Sequence, residues 1–375
     1  MSVATTSAGR RARARARAPP RRRAAARARG GGSANGGGGL TVAVTGPTGD
    51  IGRAFMRALE RSREVSAIRA MARRELDPAA EGWRKTTYLR GDVLDRDAVE
   101  RLVAGADAVV HLAFAIMGAG GAEGERVNLE GSRNVFAATV AAGVPRLVYT
   151  SSVAAYGFHP DNPPLLTEDV PPRGTGAHAY SAGKAAVEKL LGDVTRGSAT
   201  AVYVFRPCIV AGPDALMMIE SIPYVQIAEK MPETVRWLLD SAAPVLKPLI
   251  PDNGVSFQLV HHDDVASALR AAALGRGKPG VYNLAGPGTL TMRNLAEDLG
   301  WYAIPVPDLA VDAAAEVLGR LPFVPEKAQW INALRVPVVM DTAKAERELR
   351  WRPRYGARET LRATIAEARA SELLR

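Results

Sequence analysis

From Leu40 onward, short apolar runs alternate with stretches whose apolar residues recur every three or four positions. The runs at 40–45, 65–72, 86–91, 106–113, 146–151 and 200–207 have the length and composition of buried strands. Between them, 53–61, 95–104, 128–142 and 179–193 carry helical spacing. Strands that alternate with helices imply right-handed crossovers, and so an α/β fold built on a doubly wound parallel sheet.

After Pro213 the regularity fades. Residues 214–252 are apolar and punctuated by Pro223, Pro232, Pro244, Pro248 and Pro251, and they include Met217, Met218, Ile219, Trp237 and Leu238. A long irregular apolar segment suits a binding element better than a bare connector, although a small packed helical subdomain would read the same way. Strands at 257–260 and 281–284, with a helix at 264–273 between them, read as returning to the sheet. Stretches 342–349 and 358–375 read as helical. Three regions result: an Arg/Ala/Gly-rich tail (1–39), a domain of alternating strands and helices (40–212) and a smaller C-terminal region whose strands return to the sheet (213–375).

Charge changes this picture in one place. The chain has 49 Lys and Arg against 39 Asp and Glu, for a net charge of +10. Ten of the arginines, and no acidic residue, lie in 1–39, so the remainder is formally neutral. Specific nucleic-acid binding by the folded part is therefore not expected. The tail buries too little apolar surface to order itself and reads as a disordered, solvated extension in preference to a transit peptide or a polyanion-binding arm. A lone Cys208 excludes internal disulfides and thiolate metal clusters and suits a reducing, cytoplasmic setting. No apolar run is long enough to span a membrane.

The candidate chemistry begins where the first strand ends, in Gly46-Pro47-Thr48-Gly49-Asp50-Ile51-Gly52. Glycines at a strand-to-helix turn let the backbone approach a pyrophosphate, and the amides that open the helix attract its charge. Downstream, Tyr180 and Lys184 stand one helical turn apart on one face, with Ser152 upstream. A phenol has a pKa of about 10, too high for proton transfer at neutral pH unless a nearby cation favours the phenolate. The set points to hydride transfer at a nicotinamide, with Tyr180 moving the proton, Lys184 tuning it and Ser152 polarising the reacting oxygen.

As a set, the motifs resemble the extended short-chain dehydrogenase/reductases, the NAD-dependent epimerase/dehydratase family. They are Thr45 with the glycine turn, Gly91-Asp92-Val93, His111-Leu112-Ala113, Val127-Asn128-Leu129-Glu130-Gly131, Tyr149 to Ser152 with Tyr156-Gly157, Tyr180 to Lys184, Arg206-Pro207, His261 to Ala266, Tyr282-Asn283 and Leu349 to Pro353. They run in the family's order and cover nearly everything from residue 40. The resemblance implies a Rossmann fold, with Ser152, Tyr180 and Lys184 catalytic. It implies that NAD(P) is bound by Gly46, Gly49, Asp50, Ile51, Gly52, Arg73, Asp92, Val93, Ala113, Tyr180, Lys184, Arg206 and Pro207. Lys184 would also hold the nicotinamide ribose, and Asp92 would contact the adenine unless it merely caps its turn. Asn128 fits a place near the catalytic helix or a structural hydrogen bond equally well. His261, His262, Asp263 and Asp264 look like metal ligands, but the family carries a similar run as a turn and helix start, so no metal is expected. The family also implies a homodimer formed through the Tyr-Lys helix, where Ala182, Gly183, Ala185 and Ala186 would permit close packing.

Two further choices follow. The second strand ends in Arg69-Ala70-Met71-Ala72-Arg73-Arg74 without the carboxylate that binds the ribose hydroxyls of NAD. Arginines there favour NADP, through Arg73 and secondarily Arg69 or Arg74. Family members acting on nucleotide sugars carry an asparagine after the arginine of the Arg206 strand and an arginine four residues before the His261 equivalent. Here Pro207-Cys208 and Phe257 stand instead. The expected activity is interconversion of an alcohol and a ketone or aldehyde on a small apolar substrate. A nucleotide-sugar epimerase or dehydratase, and a non-catalytic NAD(P)-sensing protein, are the alternatives.

Overall fold

The computed structural model describes residues 38–115, 122–176, 178–222, 224–226, 247–307 and 336–374. The tail up to residue 37 and residues 227–246, with Trp237 and Leu238, lie outside the described residues. Strands β1 (Leu40–Thr45), β2 (Val65–Ala72), β3 (Thr86–Arg90), β4 (Ala108–His111), β5 (Arg146–Thr150) and β6 (Ala201–Pro207) form the central sheet together with β10 (Gly280–Leu284). Its order is β10-β6-β5-β4-β1-β2-β3, with every neighbouring pair parallel. The chain starts in the middle, winds outward to β3, returns to β4 and winds the other way. This is the doubly wound Rossmann arrangement.

Alternation along the strands builds both layers, because successive side chains point to opposite faces. Val42 and Val44 of β1 join Phe55, Met56 and Leu59 of α1 (Asp50–Glu60) on one face. Ala43, Val109, Leu147 and Val204 join the other. There they meet Val99 and Leu102 of α2 (Arg96–Val103), Val135 and Phe136 of α4 (Ser132–Ala141), and Val187 and Leu190 of α5 (Ala179–Thr195). Each such side chain, fully buried, contributes roughly 1.5–3 kcal/mol. A short α3 (Ala122–Arg126) runs into α4 through a π turn at Val127–Gly131.

The C-terminal part departs from expectation at one strand. β10 (Gly280–Leu284) does return to the central sheet, beside β6. β9 (Leu259–His261) does not. It pairs with β7 (Ile209–Ala211) in a separate two-stranded sheet, because β10 already occupies the open edge of β6. A second small sheet joins β8 (Leu249–Asp252) to β11 (Tyr302–Pro305). Ile219 of α6 (Met217–Glu220), Leu295 of α8 (Met292–Leu299), and Leu361 and Ile365 of α9 (Ala357–Ala370) share a third apolar cluster with Ile250, Leu259 and Leu290. α7 (His262–Ala273) instead lays Val265 and Leu269 against the α1 face of the central sheet. Among the described residues, no helix is long and apolar enough to cross a membrane.

Candidate active site

Winding reverses between β1 and β4, and the loops beyond those strands open a crevice. Gly46 there has φ 72°, and a Cβ on it would lie 2.7 Å from the Ala113 nitrogen. A side chain at Gly52 would stand 2.2 Å from the Gly46 carbonyl oxygen, so the helix can start tight against the turn only without one. Gly49 differs: a Cβ there would meet nothing nearer than that oxygen, at 3.9 Å. It is the N-cap of α1 and makes no side-chain cap, so the Asp50 and Ile51 amides open the helix beside clear space. This cradle fits a pyrophosphate. The Asp50 carboxyl is raised by burial, which His262 partly opposes.

Below the turn lies a buried chain of polar groups. Thr45 Oγ1 is 2.7 Å from His111 Nδ1, and His111 Nε2 is 2.9 Å from Ser132 Oγ. The Ala113 N–H donates to Thr45 Oγ1 at 3.4 Å. Burial drives the His111 imidazole down to about 3, so it is neutral and ties β1, β4 and α4 together beneath the crevice.

The structure brings Ser152, Tyr180 and Lys184 together. Ser152, buried just past β5, accepts the Ala154 N–H at 3.2 Å and hydrogen-bonds the Tyr180 hydroxyl. Burial holds the Tyr180 phenol above its ordinary pKa, and the Ser152 bond offsets only part of that. Lys184 is buried one turn on, and its Nζ donates to the Thr150 carbonyl at 3.0 Å. It sits 3.6 Å from the centroid of the Phe114 ring, 5.3 Å from that of Tyr149 and 5.8 Å from that of Tyr180. Burial brings its pKa down to about 7, against the pull of Glu188. The cation expected to lower the tyrosine is thus itself close to losing its proton. Beside it, the Tyr149 hydroxyl is buried without a hydrogen-bond partner among the described residues, a setting suited to a hydroxyl-bearing ligand group.

Other predicted residues fall into clear positions. The buried Arg206 guanidinium is gripped by Glu188 through two bonds of 2.9 and 2.6 Å and lies 4.4 Å over the Tyr156 ring. Ser151 Oγ also donates to Glu188, at 2.5 Å. Glu188 escaped the sequence reading, although its spacing of four from Lys184 put it on the same helical face. Asp92 accepts the Leu94 N–H at 3.0 Å, and Val93 is buried beside it. Asn128 holds both the N–H and the carbonyl of Ala115, at 2.7 and 3.0 Å. Arg73 is exposed, and Arg74 Nη2 reaches the carbonyl and hydroxyl oxygens of Thr48 at 3.4 Å. Arg69 points the other way, to the carbonyls of Leu102 and Ala104 at the end of α2.

The histidine pair does structural work. Donor atoms of His261, His262 and Asp263 lie within 4.8 Å of one another. His261 Nδ1, however, caps α7 by accepting the Asp263 N–H, and its ring stacks on Tyr355 at 4.0 Å. The fully buried Asp264 carboxylate accepts the amides of Arg354 and Tyr355, and its carbonyl accepts the Trp351 indole N–H at 2.9 Å. The run is a clamp on the C-terminal segment.

Comparison with known proteins places this crevice in a wider context. The uncharacterized protein y4nG of Sinorhizobium fredii is 28% identical over 327 residues, which cover 84% of this chain and 75% of y4nG. A 2-alkyl-3-oxoalkanoate reductase of Stenotrophomonas maltophilia is 36% identical over 180 residues, 46% of this chain and 52% of the reductase. The structure of DesIV, a dTDP-glucose 4,6-dehydratase from Streptomyces venezuelae with NAD and TYD bound, superposes with a TM-score of 0.66 at 22% identity. The superposition covers 89% of this chain and 98% of DesIV, a likeness of fold alone. The model of the NAD dependent epimerase/dehydratase family matches residues 42–285, from within β1 to just past β10. Because that match takes in every strand of the central sheet, the chain belongs to the NAD dependent epimerase/dehydratase family of NAD-binding enzymes.

Proposed function

We propose that the protein is an NAD(P)-dependent oxidoreductase that interconverts an alcohol and a ketone or aldehyde on a small apolar substrate. The observation that carries this reading is the Ser152–Tyr180 hydrogen bond beside a buried lysine, with the phenol held protonated by burial. A protonated phenol at neutral pH is a proton donor. With Ser152 it can polarise a carbonyl oxygen and deliver the proton as that oxygen gains charge, which suits reduction. The dinucleotide, when bound, supplies or takes the hydride. The backbone of Gly46, Gly49, Asp50, Ile51 and Gly52 would hold its pyrophosphate. Asp92 and Val93 would border the adenine, and Ala113, Lys184, Arg206 and Pro207 the nicotinamide end. Arg206 would contribute its strand backbone, since Glu188 holds its charge.

The walls near Tyr180 support an apolar substrate. Phe114 packs edge-on to it at 5.6 Å, His178 lies 6.4 Å away, and Phe158 packs on His178 at 5.2 Å. The reductase relative is named for a keto substrate of alkyl character. Cys208 is buried, and Phe257 pairs its backbone with Leu290, so neither offers a polar grip on a nucleotide sugar. Arg73, with Arg74 beside the glycine turn, supports NADP over NAD. The exposed Ala186 and Gly192 on α5 suit pairing into a homodimer, and the reducing setting implied by the single cysteine suits a cytoplasmic enzyme.

The test is NADPH and NADH oxidation against a panel of ketones, with Tyr180→Phe as control. The variant should lose turnover by roughly 10²- to 10⁴-fold while still binding cofactor. Unchanged turnover removes Tyr180 from the mechanism, and equal efficiency with both cofactors removes the NADP preference. The family model favours a second reading, epimerisation or dehydration of a nucleotide sugar. It predicts turnover with no net consumption of cofactor.

A further inference from the structure

Phe114 follows directly on His111-Leu112-Ala113, and its packing against Tyr180 leaves its position over Lys184 unaccounted for. Its ring centroid lies 3.6 Å from Lys184 Nζ, face-on to the ammonium, and its edge meets Tyr180. The far end of the ring also lies over Gly183, where a Cβ would stand 3.6 Å from it. The placement is held from the backbone: Asn128 bonds both the N–H and the carbonyl of the next residue, Ala115. Lys184 Nζ has three protons. One is directed to the Thr150 carbonyl, and the Phe114 face covers ground on which another acceptor would have to stand. A hydroxyl bonded to Nζ on the side Phe114 covers would sit at about 2.8–3.0 Å and could not share that space with a ring centred 3.6 Å away.

We propose that Phe114 is an aromatic plug over Lys184, which the nicotinamide ribose must displace on binding. The inference rests on the reading of Lys184 as the ribose-binding lysine. Several charged or titratable groups face Lys184. They are Tyr180 and Glu188 from its own helix, Tyr149 from β5 and His111 from β4, with Arg206 of β6 engaged by Glu188. None of the rings among them lies as close to the ammonium as Phe114 does. The ring and the ammonium attract one another, which holds Phe114 over Lys184, so the uncovered state is the minor one. Apparent affinity for the dinucleotide is reduced by that minor fraction.

The experiment is calorimetric titration of the full-length protein and of Phe114→Ala with NADPH, NADH and adenosine 2′,5′-bisphosphate, which lacks the nicotinamide ribose. Phe114→Ala should bind NADPH on the order of ten-fold more tightly and the bisphosphate unchanged. Phe114→Leu, which keeps most of the bulk without the π face, should fall between. Weaker or unchanged NADPH binding by Phe114→Ala overturns the plug and makes Phe114 a wall of the bound state. Equal tightening for the bisphosphate also overturns it, because the effect would then not be local to the ribose. Failure of all forms to bind any dinucleotide would instead overturn the oxidoreductase reading, and the plug with it.

Discussion

Arg206 and Lys184 are both buried cations on the same side of the sheet, and both feel Glu188. They end in opposite states. Arg206 takes both carboxylate oxygens in a forked pair, and that pairing outweighs its burial and raises its pKa. Lys184 feels Glu188 only at a distance, keeps one carbonyl and three ring faces, and falls to about 7. A single carboxylate thus compensates one cation and leaves its neighbour titratable. The compensated charge holds the fold, and the uncompensated one is available for chemistry.

The largest test of this contrast is Arg206→Leu. It strands a buried Glu188 and should cost about 3–5 kcal/mol in urea unfolding; a loss under about 1 kcal/mol would dissolve the distinction. Lys184→Met should do the reverse. It removes a poorly compensated charge while Glu188 keeps its partners, so the fold should gain on the order of 1–3 kcal/mol at pH 7 as turnover collapses. Destabilisation comparable to that of Arg206→Leu would show that Lys184 is a structural cation too. Ser151→Ala, which removes one donor from Glu188, should cost about 1.5 kcal/mol and leave the Arg206 pair in place.

The same contrast can be tested through pH. Lys184 carries its charge in the folded protein only below about 7 but holds it in the unfolded chain up to its ordinary 10.5. The burial cost is therefore present in full below pH 7. Between 7 and 10.5 the unfolded chain binds the extra proton, so this group makes stability rise with pH. The stability gap between wild type and Lys184→Met should narrow across that window. A constant gap would mean that Lys184 titrates normally.

Much of this was readable in advance, for physical reasons. The runs of β1, β4, β5 and β6 mark strands because those inner strands are buried on both faces and so stay largely apolar. The glycine turn and the Tyr-Lys spacing were legible because backbone approach and helix periodicity leave few residue choices. The pairing of β9 was not, since which edge a short strand takes depends on whether β10 has already filled it. The clamp role of Asp264 was hidden because its partners are main-chain amides ninety residues away. Phe114 carried a signal only in retrospect: a bulky ring placed directly after a short-residue motif at the mouth of the crevice.

The position of β10 has a consequence for the protein as it is made. Until Gly280–Leu284 leaves the ribosome, β6 stands as a bare outer strand with its main-chain groups unpaired. Most of the nucleotide-binding half will by then have been synthesised, complete but for one edge. The growing chain therefore passes through a stage in which a nearly finished sheet offers an adhesive rim, and slow translation through the segment between β6 and β10 would prolong it.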